Sequence, residues 1–562
     1  MPRSKVGVLP RVARTAERVR RALDSRTTRA MCPALLFVGI LPLLVLPIGR
    51  ELGSVLFRDA AMCQYSGWCI RHGVRLYDQV AAADGPFIHF LHAIFQVFAG
   101  ITDRGCRKAD LVFQIALSAS MGAVLAPAFA AGRGAQIAQR VAWASLGVAM
   151  WLSYYLSLGA DQTVQRDPYY ALAGYLGMML VFASADWSPA GGRALAFAGG
   201  LLATLMIFSR PFGAIYPAMC ALAFFLEDRR DADSAASLPR RVRAAAAGAG
   251  VAVVGVLVAV AIVGSLSGLF FWYLRYPLVV YRFIGRQQPL ALLTDSYGAA
   301  AEVAITMFVG LFAAMAAGVL PWRAIGFAIA PALFLFSACW TGKGWSNHVV
   351  QVNAARPLVL LLALSRLWGH GANRPWSKLH AVVAFVVLAY AAQQSVQYLA
   401  SSEFSKSAFR SVPEKGPFEV AEFLKTHTRP DDRVFLFGHE PHALLMAERA
   451  PAVPYYVDLT FDIPTLLRKQ PPAAGLEPTP AEQASIERIE RQIATDACGR
   501  LSAHFPAAMV FEDDSLGTWG IPDGVSDVAT ICPDVRAWLR DNYTLATTIA
   551  TYHVYLRKAS SS

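Results

Sequence analysis

Long apolar runs alternate with short polar segments over the first two thirds of this 562-residue chain. A run of about 20 apolar residues with few charges matches the hydrocarbon thickness of a bilayer and predicts a transmembrane helix. The pattern predicts eleven such helices, at 31–49, 110–132, 141–160, 169–186, 194–209, 211–226, 244–265, 297–319, 324–340, 349–365 and 379–399. We therefore expect a polytopic α-helical membrane protein.

One further apolar stretch, at 86–101, is short and is interrupted by His89 and His92. If this stretch crossed the bilayer, the arginine-rich connection at 227–243 would move to the outer side, against the positive-inside rule. We therefore interpret it as an interfacial helix that lies flat on the outer surface of the membrane. Residues 50–109 then form one long external loop.

After about residue 400 the pattern changes to short apolar runs separated by turns, which are typical of a small α/β domain. Strands are predicted in "PDDRVFLFGHE", "FPAAMVFEDD" and "TTIATYHVYLRKA", and helices in "PDVRAWLRDNY" and at 481–495. The predicted organisation is a basic N-terminal tail at 1–30, a transmembrane domain at 31–400 and an α/β domain at 401–562.

Composition supports the membrane assignment, because 55% of the residues are hydrophobic, mean hydropathy is +0.41 and only 16% are charged. Soluble chains carry about a quarter charged residues. The net charge of +12 does not indicate nucleic-acid binding, since the basic residues cluster at the ends of apolar runs. Basic residues at these positions are expected to contact membrane lipids instead.

The same basic residues predict the orientation of the chain. Nine Lys and Arg lie in the first 29 residues, and the even-numbered connections carry Arg133, Arg140, Arg193, Arg229, Arg230, Arg240, Arg241, Arg243, Arg323, Arg366, Arg374 and Lys378. By the positive-inside rule these segments are cytoplasmic. An odd number of spans then puts the C-terminal domain on the outer side of the membrane.

Eight cysteines occur, and none has the spacing of a zinc site. Cys498 and Cys532 share the predicted external domain, where a disulfide persists, so we predict that they pair. Cys63 and Cys69 share the external loop, with reduced packing residues as the alternative for all of them.

Acidic and basic side chains recur at the outward ends of the predicted spans. They are Arg58, Asp59, Asp84, Asp161, Arg166, Asp167, Arg210, Arg275, Arg282, Arg286, Lys343 and His348. Ionisable groups near membrane depth are costly and usually mark function. Carboxylates supply a base or metal ligands, whereas cations hold a phosphate. The pattern favours a site for a phosphorylated lipid, although Arg275 and Arg282 are also read as interfacial anchors.

Three motifs of the first loop come in a fixed order: Arg58-Asp59, then the stretch 73–78 with sequence GVRLYD, then Asp84-Gly85-Pro86. Together with the later "GKGWSNH", this order resembles the GT-C superfamily of polytopic glycosyltransferases, which use polyprenyl-phosphate sugars. Within it the likeness is to the family of rhizobial lipopolysaccharide galacturonosyltransferases, protein O-mannosyltransferases and lipid A aminoarabinose transferase.

The resemblance implies transfer of a sugar from a polyprenyl-phosphate donor to a lipid-linked or cell-surface glycan acceptor on the periplasmic face. Asp59 stands where the family has its catalytic acid. Asp167 is the expected second acid, and Asp161 is the next candidate for that role. A divalent cation, Mg²⁺ or Mn²⁺, is the one cofactor envisaged, with Asp59 and Asp167 as its ligands.

The resemblance also implies contacts with the donor. Asp84 matches an acid that the family usually follows with Lys, but Gly85 stands at that place here. Lys343 or Arg210 is therefore expected to contact the donor phosphate. Arg58, Asp84, Asp161 and His348 complete the predicted substrate-binding set.

Two other functions stay open at this point. A transporter or flippase of lipid-linked glycans would favour internal repeats and charges in the middle of spans. No repeat is visible, and the charges cluster at one face apart from Glu302 and Arg356. A non-catalytic membrane subunit with an external binding domain would give Asp59 no role.

Overall fold

The computed structural model describes residues 26–126, 133–227, 232–370, 386–394, 396–397, 415–438, 440–455, 458–513 and 523–559. The predicted basic tail at 1–30 lies almost wholly outside these residues. The same holds for the domain boundary near residue 400, for most of the span at 379–399, and for Arg229, Arg230, Arg374 and Lys378.

The membrane part is a bundle of helices. They are α1 Arg26–Gly53, α2 Arg58–Arg71, α3 Pro86–Ala99, α4 Asp103–Leu125, α5 Arg133–Ser157, α6 Arg166–Ala183, α7 Pro189–Leu205, α8 Ile215–Phe225, α9 Ala232–Val263, α10 Gly298–Ala316, α11 Ile325–Thr341 and α12 Val350–His370. Short helical turns between 266 and 296 connect α9 to α10. The prediction of a polytopic helical membrane protein is confirmed.

Eight described helical segments are long and apolar enough to cross a membrane: Pro33–Gly53, Asp103–Leu125, Arg166–Asp186, Pro189–Phe208, Ala236–Val263, Gly298–Ala316, Trp322–Thr341 and Ser346–Trp368. Two further predicted spans correspond to α5 and to the shorter apolar segment Pro211–Phe225. The total of eleven spans stays a prediction, because the last span falls mainly outside the described residues.

Helix α3 is the stretch predicted to lie in the interface. At 14 residues it is too short to span a bilayer. One face carries the buried residues His89 and His92, whereas Val97 and Phe98 on the other are 64% and 83% exposed. A helix with one packed face and one exposed apolar face is suited to the membrane surface.

Helix α6 occupies the centre of the bundle, with 94% of its apolar segment buried. Small residues make this packing close: a Cβ on Gly177 would approach the backbone nitrogen of Ala203 in α7 to 2.8 Å. Such small-residue contacts let membrane helices approach one another. Because α6 is enclosed, the polar residues of its first turn face the protein interior rather than lipid.

The even-numbered connections meet at one end of the bundle. Asp186 accepts hydrogen bonds from Arg323 at 2.6 Å and from Arg366 at 2.5 Å, and Arg140 lies 4.4 Å from the ring centre of Trp187. The ends of the helices that carry the remaining acids and bases are therefore at the other end, together with the C-terminal domain.

The C-terminal domain contains a five-stranded sheet. Its elements are α13 Lys415–His427, β1 Arg433–Phe437, α14 His442–Ala447, β2 Ala450–Pro451, α15 Asp458–Phe461, α16 Ile463–Lys469, α17 Pro480–Ala503, β3 Ala508–Glu512, α18 Gly524–Ile531, α19 Val535–Asn542, β4 Tyr543–Ile549 and β5 Tyr552–Arg557. The strand order is β2-β1-β3-β5-β4, with β1 parallel to β2 and β3. The α/β prediction is confirmed.

The predicted disulfide is also confirmed. Cys498 of α17 and Cys532 after α18 are bonded, with Cα atoms 5.5 Å apart. Cys63 and Cys69 are buried free thiols. Burial raises the pKa of the Cys63 thiol to about 12, so this thiol stays protonated and unreactive.

The C-terminal domain packs directly on the first loop of the membrane part. The Tyr65 hydroxyl donates to the Arg449 carbonyl at 2.9 Å, and the Ala81 amide donates to the Pro454 carbonyl at 2.9 Å. Arg58 of α2 forms an ion pair with Glu440 at 3.7 Å. The loop that holds the predicted catalytic acid is therefore clamped between the membrane helices and the sheet.

Candidate active site

A cavity of about 340 Å³ lies where the ends of the membrane helices meet the C-terminal domain. Its wall is formed by seven separate segments of the chain, within 59–62, 81–89, at 166, within 209–212, 273–286 and 340–348, and at 460. The predicted site residues on this wall are Asp59, Asp84, Arg210, Lys343 and His348. The structure thus brings together residues from three connections that are far apart in the sequence.

Asp59 is the second residue of α2 and is half-buried on the cavity wall. Within the described part of the chain its carboxylate makes no hydrogen bond and no ion pair. The chain just before it is held by the Arg58–Glu440 ion pair and by a 3.0 Å hydrogen bond from the Leu56 amide to Asp103. A fixed position and an uncommitted carboxylate are what a general base requires.

Asp84 faces the same cavity and is ion-paired with Arg166. The adjacent Gly85 packs against the chain just before Arg210, where an added Cβ would collide with the carbonyl of Phe208 and would lie 3.0 Å from the Ser209 nitrogen. The close approach of these two segments excludes any side chain at position 85. This explains the missing lysine, and it places Arg210 beside the Asp84 turn.

Asp167 lies behind the cavity rather than on its wall, and it is fully buried. One carboxylate oxygen accepts a hydrogen bond from Arg210 at 2.9 Å and lies 3.5 Å from Arg166 Nε, and the other accepts one from Gln351 at 3.0 Å. These contacts orient two arginines that line the cavity. Direct participation of Asp167 in the reaction stays a prediction.

Arg210 bridges Asp167 and the cavity. It lies in an extended break between Pro189–Phe208 and Pro211–Phe225, where Pro211 begins the next helical turn. Burial, and then the nearby charge of Arg166, lower the pKa of Arg210 from its usual value. The charge of an entering anion offsets both effects, so the position favours binding of a phosphate.

Lys343 reaches the cavity from the turn between α11 and α12. Gly342 and Gly344 on either side have φ values of 72° and 69°, a conformation that favours glycine. The Lys343 ammonium donates to the carbonyls of Tyr281 and Ile284 and lies 4.5 Å from the Tyr281 ring centre. Burial, and then the charge of Arg286, lower the pKa of Lys343 to about 7.

His348 follows on the same turn. Its Nδ1 lies 3.0 Å from the Thr341 hydroxyl, and its ring packs edge-on against Trp345 with ring centres 5.7 Å apart. The side chain is only 7% exposed, and that remaining surface borders the cavity. His348 therefore borders the cavity, and its contact with a ligand stays a prediction.

Besides Asp167, two predicted residues lie outside the cavity wall as the described residues define it. Arg58 pairs with Glu440 and supports the start of α2. Asp161 lies in the turn before α6, where its backbone carbonyl accepts a hydrogen bond from Gln165. Their substrate-binding roles stay predictions, and the contacts of Arg58 indicate that it positions Asp59.

Other wall residues lie outside the predicted substrate-binding set. Arg282 and Arg286 belong to the charged residues that the sequence placed at the outward ends of the spans, and both line the cavity, whereas Arg275 packs over the Phe271 ring instead. Thr460 comes from the C-terminal domain, and nothing in the local sequence points to it.

The predicted metal site has little support in the donor set. No group of three or more His, Cys, Asp or Glu side chains suited to a metal ion occurs among the described residues. Both oxygens of Asp167 already contact arginine or amide nitrogens. These donors do not fit a divalent cation, and no step below depends on one.

The architecture, a membrane helix bundle with a long first loop under a C-terminal sheet domain, is the GT-C membrane fold. The chain is similar to ArnT from Cupriavidus metallidurans, solved both in the apo state and bound to undecaprenyl phosphate. For each structure the TM-score is 0.53 and the identity 13%, over 94% of this chain and 98% of that chain. The expected resemblance is confirmed at the level of fold.

A weaker similarity connects the chain to the Archaeoglobus fulgidus oligosaccharyltransferase, with a TM-score of 0.42 and 13% identity over 93% of this chain and 75% of that chain. No protein-family model matches the sequence, and no curated protein matches it.

Proposed function

We propose that this protein is a glycosyltransferase of the GT-C type. It transfers a sugar from a polyprenyl-phosphate donor to a lipid-linked or cell-surface glycan acceptor, on the periplasmic face of a bacterial inner membrane. The observation that carries the proposal is the uncommitted Asp59 carboxylate in a cavity otherwise rich in basic groups. The ArnT fold, solved with undecaprenyl phosphate, supports it.

The charge of the cavity suits a phosphate. Five basic side chains and two carboxylates line it: Arg166, Arg210, Arg282, Arg286 and Lys343 against Asp59 and Asp84. Arg166 and Arg282 have acidic partners in Asp84 and Glu482. Within the described chain, Arg286 and Lys343 have no acidic partner, so two positive charges remain for an anionic ligand.

The mouth of the cavity suits a lipid chain. Leu278 and Trp340 on its rim are 63% and 64% exposed, and Trp340 lies at the end of the span Trp322–Thr341. Exposed apolar groups at this depth face hydrocarbon rather than water. A polyprenyl chain leaving the cavity here keeps its phosphate among the arginines.

The proposed reaction is a direct displacement at the sugar. Asp59 takes the proton of an acceptor hydroxyl, and the oxygen forms a bond to the anomeric carbon of the sugar. The bond from that carbon to the phosphate oxygen breaks, and the phosphate leaves with the electron pair. Arg210, Arg286 and Lys343 stabilise the charge that develops on the phosphate.

A binding experiment tests the lipid-phosphate part of this proposal. We expect purified protein in detergent to bind undecaprenyl phosphate, and Arg210→Gln to weaken binding by about tenfold or more, since charge-assisted hydrogen bonds to phosphate are strong. The matched control is Arg540→Gln, because Arg540 is an exposed arginine of the C-terminal domain that pairs only with its neighbour Asp541. Equal affinity in both variants, or no binding by the wild type, contradicts the proposal.

The pH dependence of binding provides a second test. Because the pKa of Lys343 is about 7 in the free protein, the ammonium loses its proton as pH rises through that value. We expect affinity for undecaprenyl phosphate to fall by up to about tenfold between about pH 7 and pH 9. Lys343→Arg keeps the charge throughout this range and should flatten the profile. Identical profiles for both proteins would show that Lys343 does not contact the phosphate.

The proposed orientation is tested by fusions. The arginine bias predicts a cytoplasmic N-terminus and a periplasmic C-terminus. A C-terminal alkaline phosphatase fusion should therefore be active, and a C-terminal green fluorescent protein fusion should be dark. A bright fusion beside an inactive phosphatase would reverse the topology and move the cavity to the cytoplasmic face.

A further inference from the structure

Two neutral polar side chains on the cavity wall have no hydrogen-bond partner among the described residues. His89 is 1% exposed, and neither of its ring nitrogens has a hydrogen bond within the described structure. Ser209 is also 1% exposed, and its hydroxyl has no partner among the described residues. Buried polar groups are almost always hydrogen-bonded, and an unpaired one requires an explanation.

The two side chains belong to the same region of the wall. Gly85 packs against the Phe208–Ser209 backbone, and His89 follows Gly85 by four residues, about one turn along α3. Both residues therefore flank the Asp84 turn. Each lies on the cavity wall together with Asp59.

The chemistry of this pair differs from that of the arginines. Burial lowers the pKa of His89 to about 3, so its imidazole is neutral at physiological pH. A neutral imidazole donates from one nitrogen and accepts at the other, and a serine hydroxyl does both. A phosphate offers only hydrogen-bond acceptors, so the arginines, which only donate, bind it better. Sugar hydroxyls both donate and accept, which matches both side chains.

We propose that His89 and Ser209 form a subsite that binds hydroxyl groups of the donor sugar, a role that rests on the proposed glycosyltransferase function. The subsite lies beside the Asp84 turn, and the phosphate lies between Arg210 on that side and Arg286 and Lys343 on the other. The sugar then bridges the two regions, with its anomeric carbon facing Asp59. The subsite selects for a sugar with free hydroxyls and leaves binding of the lipid phosphate unchanged.

The test compares undecaprenyl phosphate with its glucose, mannose, galactose, galacturonic acid and 4-amino-4-deoxyarabinose esters as binding probes. We expect the wild type to bind at least one ester more tightly than undecaprenyl phosphate itself. His89→Phe removes both hydrogen-bonding nitrogens and should abolish that preference, about a tenfold loss, while affinity for undecaprenyl phosphate stays within twofold. Ser209→Ala should lose part of the preference for the ester.

Two further measurements separate this role from a structural one. In the ligand-free protein both side chains are unpaired, so Ser209→Ala should leave the unfolding temperature unchanged or raise it. His89→Gln restores a donor and an acceptor and should recover part of the preference if His89→Phe disturbs packing. A lower unfolding temperature with unchanged ester preference would assign the residues to structure instead.

The outcomes distinguish the subsite from the function on which it rests. If variants at His89 and Ser209 keep the full ester preference, the subsite is wrong and the glycosyltransferase proposal stands. If the wild type prefers none of the esters but binds undecaprenyl phosphate, the sugar subsite is again wrong. If the wild type binds no undecaprenyl phosphate, both proposals fail.

Discussion

Asp59→Asn is expected to lower glycan transfer by at least about 100-fold, the scale of losing a general base. The substitution keeps the shape of the side chain but removes its charge and its basicity. Because Asp59 has no hydrogen bond or ion pair among the described residues, its loss should not disturb folding. Binding of undecaprenyl phosphate should persist, since the phosphate contacts the arginines.

The measurement is transfer of labelled sugar from a polyprenyl-phosphate donor by purified protein, with the unfolding temperature as a check on folding. Asp78→Asn is the matched control, because Asp78 is an acid of the same loop that pairs with Arg75 at 3.6 Å and does not line the cavity. Near-normal transfer by the Asp59 variant would remove its catalytic role. A transporter or a non-catalytic subunit predicts instead that even the wild type transfers no sugar.

Asp167→Asn is expected to destabilise the protein by about 3–5 kcal/mol, the cost of leaving a buried charge without its partner. Asp167 is the acid that Arg166 and Arg210 share, and it is fully buried. With the carboxylate neutralised, the two guanidinium groups keep only the Arg166–Asp84 ion pair and the nearby charge of Asp59. We therefore expect a lower unfolding temperature and weakened binding of undecaprenyl phosphate, because the arginines lose their fixed orientation.

A double-mutant cycle gives this prediction its control. Adding Arg210→Gln to Asp167→Asn removes one of the uncompensated charges, so the double variant should be more stable than the sum of the single effects. Asp496→Asn is the comparison, since the Asp496–Arg500 pair is partly exposed and surface pairs contribute at most about 1 kcal/mol. If Asp167→Asn is no more destabilising than Asp496→Asn, Asp167 does not hold the arginines.

Much of the fold follows from local patterns in the chain. The apolar runs predicted the eight long membrane helices, because bilayer thickness sets a length that a single segment must meet by itself. The short apolar runs after residue 400 predicted strands for a similar reason, since β1 and β3 are buried along nearly their whole length. Cys498 and Cys532 were paired correctly because both belong to one small domain.

The membership of the site was predicted in part. Asp59, Arg210 and Lys343 stand at helix ends that a consistent topology brings to one face, so their meeting in one cavity followed from counting spans. The same reasoning ranked Asp167 only slightly ahead of Asp161 as the second acid. Counting spans does not distinguish a residue on the cavity wall from a residue buried behind the wall.

That distinction is decided by tertiary packing. Asp167 faces Arg210 and Gln351 because α6 is enclosed, and position 85 is a glycine because the Phe208 backbone lies against it. The unpaired nitrogens of His89 are likewise visible only once its neighbours are in place. The sequence alone therefore determined the spans, the sheet domain and the depth of the charged groups, which depend on local length and periodicity. The tertiary structure decided which charges pair and which stay free, because these hydrogen bonds form only when segments that are distant in the sequence approach one another.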